Sequence, residues 1–350
     1  MGDIKNLPNE LLELVFRYAV TSARPVGENQ EVPFPVSASH VCRYWRELSL
    51  NTSDLWSRLN ISIRRPWEEE RVRVYLERSR TALLDIRLSR HDWADKSSQH
   101  YDESSSMKMP AFVSLLIPHI HRWRTLAINI DADMEEEGPC FIICNQLNDH
   151  TAPRLEYLHI SVIDPLLLDK FIPQPIEPIL VHGASALTKV RLRNVIAGDD
   201  SLPFQHVTTL DLGFSNDYAS PTEYSDIEWV LKSSPHLEHL TLRGRLFHVE
   251  NNTSVIELPF LQSLKVVFGC DMWTYEYFRR IFNILLTPAL KTLEFYALSD
   301  YVFHAFLRAI EDSIPQSKFP ALETFGVASL RGLYVNSDHF FTAMPQVTHV

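Results

Sequence analysis

The amino-acid sequence predicts an α/β protein in which a small helical unit precedes a stack of parallel strands joined by return helices or loops. Two observations predict this fold. Apolar residues recur at three- and four-residue steps near the start of the chain, and a short apolar pattern recurs throughout the remainder. The chain has 350 residues, of which 45% are hydrophobic and 22% charged, so it is long enough for two folded units and its composition excludes disorder.

The recurring pattern is an apolar residue, two variable residues, an apolar residue, one variable residue and a third apolar residue. We call these three apolar positions the first, second and third anchors. The clearest copies have first anchors at Leu155, Leu237, Leu261, Leu290 and Leu322, each two residues after a proline. Weaker copies begin at Trp123, Leu187 and Val207, and two further candidates begin at Trp56 and Leu83.

Each copy predicts one short strand. Side chains alternate along a strand, so the second and third anchors are expected on one face, with the first anchor at the turn before them. The segments 226–232, 275–286 and 301–314 are predicted to return as helices, whereas 165–178, with four prolines, is predicted to be irregular. A strand with its return path cannot bury both faces, so the copies are expected to stack. Ordinary α/β strands are the alternative.

The consensus resembles leucine-rich repeats of the irregular, non-secreted kind over residues 123–350, although the Asn or Cys that usually follows the strand is mostly missing. The resemblance implies a solenoid with one continuous core and a parallel sheet along one side. The sequence stops within a further copy at 344–350, so we expect the solenoid to lack a C-terminal cap, through truncation or because a partner covers that edge.

The first sixty residues follow helical spacing. A helix is predicted from Pro8 to about Ala19, and a second one over 36–50, separated by a proline-bearing loop over 21–35. On the first helix, apolar residues spread over about twice the arc that one core requires. Part of this apolar surface is therefore expected to meet the repeats or another protein.

Three fragments point to a family: Leu7-Pro8-x-Glu10-Leu11-Leu12-x-x-x-Phe16, then Val41-Cys42-Arg43-x-Trp45-Arg46-x-Leu48, then Leu55-Trp56. Together they resemble an F-box and, more narrowly, the large fungal group of F-box-like proteins, over residues 4–60 and loosely to about 90. The division that follows is an F-box-like domain at 4–60, a connecting segment with degenerate first repeats at 61–122, and the repeats at 123–350. The sequence departs from the family pattern by the insertion at 21–35.

The F-box resemblance implies docking on a Skp-type adaptor, and through it on a cullin scaffold, in an SCF-type ubiquitin ligase whose repeats select a protein substrate. This role is that of a non-catalytic receptor subunit. We expect nine residues to form the docking site, some of which also belong to the F-box core: Leu7, Pro8, Leu11, Leu12, Phe16, Val41, Cys42, Trp45 and Leu48. The rival interpretation is a leucine-rich-repeat scaffold whose F-box-like region no longer docks, and an enzyme is a distant third.

The search for catalytic and metal-binding motifs gives no candidate site, catalytic residue or cofactor. Cys140 and Cys144 lie at helical spacing but lack the partners of a zinc site, so buried thiols are favoured. His119 and His121 would share one face of a strand, a spacing expected by chance among 15 histidines. No nucleotide-binding loop, nucleophile elbow or zinc-protease motif occurs.

Net charge and cysteine content limit the possible partners and the cellular compartment of the protein. The 33 basic and 44 acidic residues give a net charge of −11, which disfavours nucleic acid. Residues 81–350 carry a charge of −12 and residues 1–80 a charge of +1, so the repeats are expected to bind a basic substrate segment. No signal peptide or membrane span is predicted. Four cysteines are too few for a disulfide framework, so the cytoplasm or nucleus is expected.

Overall fold

The computed structural model describes residues 7–22, 32–62, 68–89, 108–131, 139–163, 174–198, 202–214, 223–247, 254–267, 275–297, 303–304, 306–308 and 319–328. They form a mixed α/β protein with a helical N-terminal unit and one large parallel sheet. The predicted fold class is therefore confirmed at this level.

The N-terminal unit contains α1 (Asn9–Ser22), α2 (Phe34–Ser39), α3 (Arg43–Asn51) and a 3₁₀ turn (Ser53–Trp56). The prediction of one helix over 36–50 is wrong, because the chain breaks between α2 and α3. Cys42 adopts extended backbone angles (φ −158°, ψ 171°), and its Sγ accepts a hydrogen bond from the backbone N–H of Trp45 at 3.5 Å. Cys42 thus caps α3, and spacing alone did not reveal this break.

Aromatic side chains build the core of this unit. The Phe16 ring meets Phe34 and Trp45 edge-on, with centroids 5.5 and 4.9 Å apart. Trp56, fully buried, donates its Nε1–H to the Ser49 carbonyl at 2.8 Å and packs edge-on against Tyr75 of the following helix at 5.1 Å. Such ring pairs add to the area they bury. The helical unit and the sheet consequently share one apolar core.

Within the described residues the main sheet has ten strands in chain order, every neighbouring pair is parallel, and the sheet does not close on itself. Its strands are β1 (Arg58–Ser62), β2 (Leu84–Ser89), β3 (Trp123–Asp131), β4 (Tyr157–Ile163), β6 (Lys189–Arg193), β8 (Thr209–Gly213), β9 (His239–Arg243), β11 (Ser263–Val267), β13 (Thr292–Tyr296) and β14 (Thr324–Ala328). Two-stranded parallel sheets pair β5 (Gln174–Ile176) with β7 (Val195–Ala197), and β10 (Ile256–Glu257) with β12 (Leu285–Leu286).

The anchors stand in register across the main sheet. Second anchors pair with second anchors and third with third, from Leu158 and Ile160 of β4 through Leu240 and Leu242 of β9. The second and third anchors of the described strands are buried, except Val327 of β14, which is partly exposed. The candidate copies at Trp56 and Leu83 occupy the same register, since their later anchors are the buried pairs of β1 and β2.

Return segments cover the anchor face. They include α4 (Glu68–Arg78), α5 (Lys108–Leu116), a 3₁₀ helix (Ile117–Arg122), α6 (Pro139–Leu147), a 3₁₀ turn (Phe204–His206), α7 (Tyr224–Lys232) and α8 (Tyr275–Ile284). The helix predicted over 226–232 is present in α7, whereas the one over 275–286 ends at Ile284 because the next two residues form β12. Of 301–314, residues 303–304 and 306–308 are helical.

Several predicted segments lie outside the described residues. They are most of the insertion at 21–35, most of the proline-rich stretch at 165–178, and the copy at 344–350 with its expected missing cap. From the proline-rich stretch, residues 174–176 form β5 rather than irregular chain, because they pair with β7.

An asparagine follows strand β6, whereas the Asn that usually follows the strand of a repeat is missing from most of the other copies. Asn194 follows β6, is 1% exposed, and adopts a left-handed φ of 57°. Its Nδ2 donates to the Val162 carbonyl of β4 at 2.6 Å. The side chain thereby satisfies a backbone acceptor of the neighbouring strand, which keeps this turn close to the sheet.

Candidate functional site

Helix α1 presents an apolar surface to solvent. Leu11, Leu14, Val15 and Tyr18 are 50, 63, 52 and 72% exposed. At 100° per residue these four fall within an arc of about 100°, beside the buried pair Leu12 and Phe16. We call the four exposed residues the α1 patch. Large apolar side chains grouped in this way on one helix mark a surface that binds another protein.

The α1 patch sits on a helix that is held at several points. Tyr44 of α3 donates its hydroxyl to Asn9 Oδ1 at 2.6 Å, which fixes the start of the helix. Arg17 pairs with Asp54 at 3.2 Å, and Arg58 of β1 donates to the Val20 carbonyl at 3.2 Å. Since the buried side of α1 also packs on the unit's aromatic core, the patch is a preformed platform.

The predicted docking residues divide into three groups by exposure. Leu7, Pro8, Leu11, Val41 and Cys42 are exposed, Trp45 is half-buried, and Leu12, Phe16 and Leu48 are buried in the core. The structure thus separates residues that could touch a partner from those that support the helix. The proposed set omitted Leu14, Val15 and Tyr18, although the unusually wide apolar arc of α1 already signalled them.

The side of the sheet opposite the anchors carries polar residues, and we call it the polar face. On it Asp211 of β8, which is 8% exposed, accepts from Arg191 Nε at 2.9 Å, Arg193 Nη2 at 2.6 Å and Arg243 Nε at 3.4 Å. One carboxylate therefore meets three guanidinium groups. Burial lowers the pKa of Arg193, and Asp211 opposes that shift.

His159 of β4 lies beside this cluster. Burial is the largest cause that lowers its pKa, and together with the positive charges of Arg191, Arg193 and Arg87 it brings the pKa to about 4. The imidazole is consequently neutral at pH 7. Among the described residues, His159 Nε2 and Arg193 Nη1 are buried side-chain atoms with no hydrogen-bond partner. The polar face thus combines positive charge with unsatisfied polar atoms.

The other candidate chemical groups are not assembled. His119 and His121 lie on the 3₁₀ helix after α5 rather than on a strand, since the strand begins only at Trp123, so the expectation of a shared strand face was wrong. Cys144 of α6 is buried, and the side chain of Cys140 lies outside the described residues. Within the described parts of the chain, no group of three or more His, Cys, Asp and Glu side chains could hold a metal ion.

A crevice between β6, β7 and α7, lined by Leu192, Gly213 and Val230 among others, holds about 20 Å³, room for roughly one water molecule. It is too small for an organic substrate.

Across the described residues, no helix has the length and apolar character needed to span a bilayer.

A family model described as F-box-like matches residues 4–62. The F-box part of the resemblance is therefore confirmed, and the matched residues contain the whole α1 patch. The search of curated proteins gave no match. An F-box-like domain indicates a protein that works through protein–protein interaction, typically as an adaptor of an SCF ligase and without catalysis of its own.

Proposed function

We propose that this protein recruits a protein substrate to an SCF-type ubiquitin ligase, with α1 docking on a Skp-type adaptor that links it to a cullin. One observation carries the proposal: the residues that match the F-box-like model include a helix with an exposed apolar surface. An F-box implies such an adaptor, and the exposed side chains of α1 provide an apolar surface for the adaptor to contact. Leu7, Val41 and Cys42 belong to the proposed contact surface together with the α1 patch.

The large sheet is the proposed substrate-binding half. In this proposal it forms the inner side of an irregular leucine-rich-repeat solenoid of the fungal F-box-like type, and the anchors in register support that interpretation. The receptor would act by holding a bound protein near the ubiquitin-conjugating enzyme, which raises its local concentration. Cytoplasm and nucleus are the compartments that fit this role.

Co-expression with a Skp-type adaptor, followed by size-exclusion chromatography, tests the proposal. Val15→Glu places a charge in the α1 patch, whereas Val255→Glu makes the same change at a residue of matching exposure, 55% against 52%, away from α1. We expect a one-to-one complex for the wild type and for Val255→Glu, and none for Val15→Glu. A folded wild-type chain that ignores the adaptor would instead favour the stand-alone scaffold.

A further inference from the structure

We propose that the polar face of the sheet, from β2 to β11, binds an acidic, carboxylate-rich segment of the recruited protein. That this partner is a recruited protein rests on the proposed function, whereas the binding of an acidic segment rests on the charges of the sheet. Strand register brings these charges together from five separate strands, β2, β6, β8, β9 and β11, so the linear sequence does not display them as a cluster.

The charge on the polar face has the opposite sign to that of the whole chain. Among the described side chains of β2 to β11 at positions that alternate with the anchors, six are basic and two acidic, an excess of four positive charges, in a chain of net charge −11. They are Arg87, Lys189, Arg191, Arg193, Arg243 and Lys265 against Asp85 and Asp211. Complementary charge attracts and orients a partner, so this face favours an anionic one.

The central part of the face carries cations within the span of a short extended segment. Along one row of register, Arg87 and Arg191 flank the small side chain of Ala127 and the neutral imidazole of His159. Adjacent strands lie about 4.8 Å apart, so the two arginine Cα atoms are separated by roughly 14 Å, the length of about four extended residues. Within the described residues Arg87 and Lys189 make no ion pair, and both are exposed.

The arginines around Asp211 are positioned by a glycine. A Cβ built at Gly213 would lie 2.5 Å from Arg243 Cβ and 2.6 Å from Arg193 Nη1. Gly213 therefore leaves the space in which these two side chains approach. The single carboxylate of Asp211 leaves an excess of positive charge among its three arginines. Burial is the main cause of the lowered pKa of His159, and the arginines Arg191, Arg193 and Arg87 add to it.

The distribution of charge favours several carboxylates over one phosphate group. A phosphate is held best by guanidinium groups that converge on it. Here Arg191, Arg193 and Arg243 already converge on Asp211, and the remaining cations are spread over separate strands. A partner with acidic side chains along an extended segment can meet such scattered charges one by one.

Fluorescence anisotropy with the full chain tests this inference. The probes are labelled peptides of equal length with alternating glutamate and glycine, or with alternating lysine and glycine, and an unlabelled single-stranded oligonucleotide serves as competitor. We expect the glutamate peptide to bind, the lysine peptide not to bind, and binding to weaken as salt rises. Preference for the lysine peptide, or displacement by the oligonucleotide at lower concentration than by free glutamate peptide, would overturn the proposal.

Matched triple variants locate the binding. Arg87→Gln/Lys189→Gln/Arg191→Gln removes three charges from the polar face, whereas Arg73→Gln/Lys232→Gln/Arg308→Gln removes three from helical segments elsewhere. Exposed pairs contribute a few-fold each, so the first variant should weaken binding by about tenfold and the second by less than about twofold. Equal weakening in both would show nonspecific attraction and contradict the assignment.

Failure of this inference can be separated from failure of the proposed function. The polar-face variant should keep its adaptor complex, and Val15→Glu should lose the adaptor while still binding the glutamate peptide. A chain that binds the peptide but never the adaptor would leave the inference standing without the ligase role. A chain that binds the adaptor but not the glutamate peptide would overturn the inference alone.

Discussion

Helix α1 and the strands of the sheet use apolar residues in opposite ways. Second and third anchors along the sheet are buried by the return segments, so the sheet pattern is satisfied within the chain. On α1, Leu12 and Phe16 are buried while Leu11 and Val15 next to them remain about half exposed. A repeated, fully buried apolar pattern therefore indicates the fold, whereas an apolar arc wider than the core requires indicates a binding partner.

The largest expected effect contrasts one substitution in the two regions. Leu240→Ala in β9 should lower the free energy of unfolding by about 3 kcal/mol, because removing a fully buried leucine leaves a cavity between the sheet and the return segments. Leu11→Ala on α1 should lower it by less than about 0.5 kcal/mol. Urea unfolding followed by circular dichroism measures both. Equal losses would break the comparison, since α1 would then be buried in solution.

The second expected effect is a loss of stability at acid pH that arises in the sheet, at His159 of β4. His159 has a native pKa of about 4 against about 6.5 in an unfolded chain, so the unfolded state takes up its proton first as the pH falls. Stability should fall by about 2 kcal/mol between pH 6.5 and 4, allowing for partial exposure of the ring. His159→Gln should remove that part of the acid dependence, as measured by urea midpoints at each pH.

The neighbouring cations offer an independent check on His159. Arg191, Arg193 and Arg87 lower its pKa and Asp211 raises it. Arg191→Gln should therefore move the pKa of His159 upward in an NMR titration of its ring protons. An unchanged pKa would mean that Arg191 does not act on His159, and the positive potential inferred for the polar face would lose one of its supports.

A smaller effect tests the packing of the polar face. Gly213→Ala should cost about 1 to 2 kcal/mol, since the new methyl group would meet Arg243 Cβ and the Arg193 guanidinium. Gly326→Ala is the matched change in β14, where the nearest atom, Glu294 Cγ, would lie 3.4 Å away. We expect the second variant to be nearly neutral in thermal unfolding. Two neutral variants would show that the arginines around Asp211 move aside freely.

The sequence predicted the strands better than their surroundings, for a physical reason. Alternation of anchors is a local property of the chain, so even the candidate copies at Trp56 and Leu83 gave the buried pairs of β1 and β2. The break before Cys42 depends on a cap and a backbone angle, which helical spacing does not encode. Spacing likewise placed His119 on a strand, although the chain there is a 3₁₀ helix.

The candidate sites show the same limit in another form. Of the nine docking residues proposed from the sequence, exposure separates Leu11 from Leu12, although both are apolar and adjacent. Summed charge suggested a basic partner, a prediction that stays untested. The polar face instead carries an excess of positive charge, because register selects which residues share a surface and a sum over the chain does not. The glutamate and lysine peptides decide between the two expectations.

The smallest expected effect on stability gives the sharpest form of the comparison. Val15→Glu and Val255→Glu should each change the free energy of unfolding by less than about 0.5 kcal/mol, because both valines are about half exposed before the change. Only Val15→Glu should abolish the adaptor complex. Stability and docking would then be separated at one residue of α1, whereas a substitution at a buried anchor of the sheet lowers stability. A Val15→Glu chain that unfolds at markedly lower urea than Val255→Glu would instead place the α1 patch within the protein's own packing.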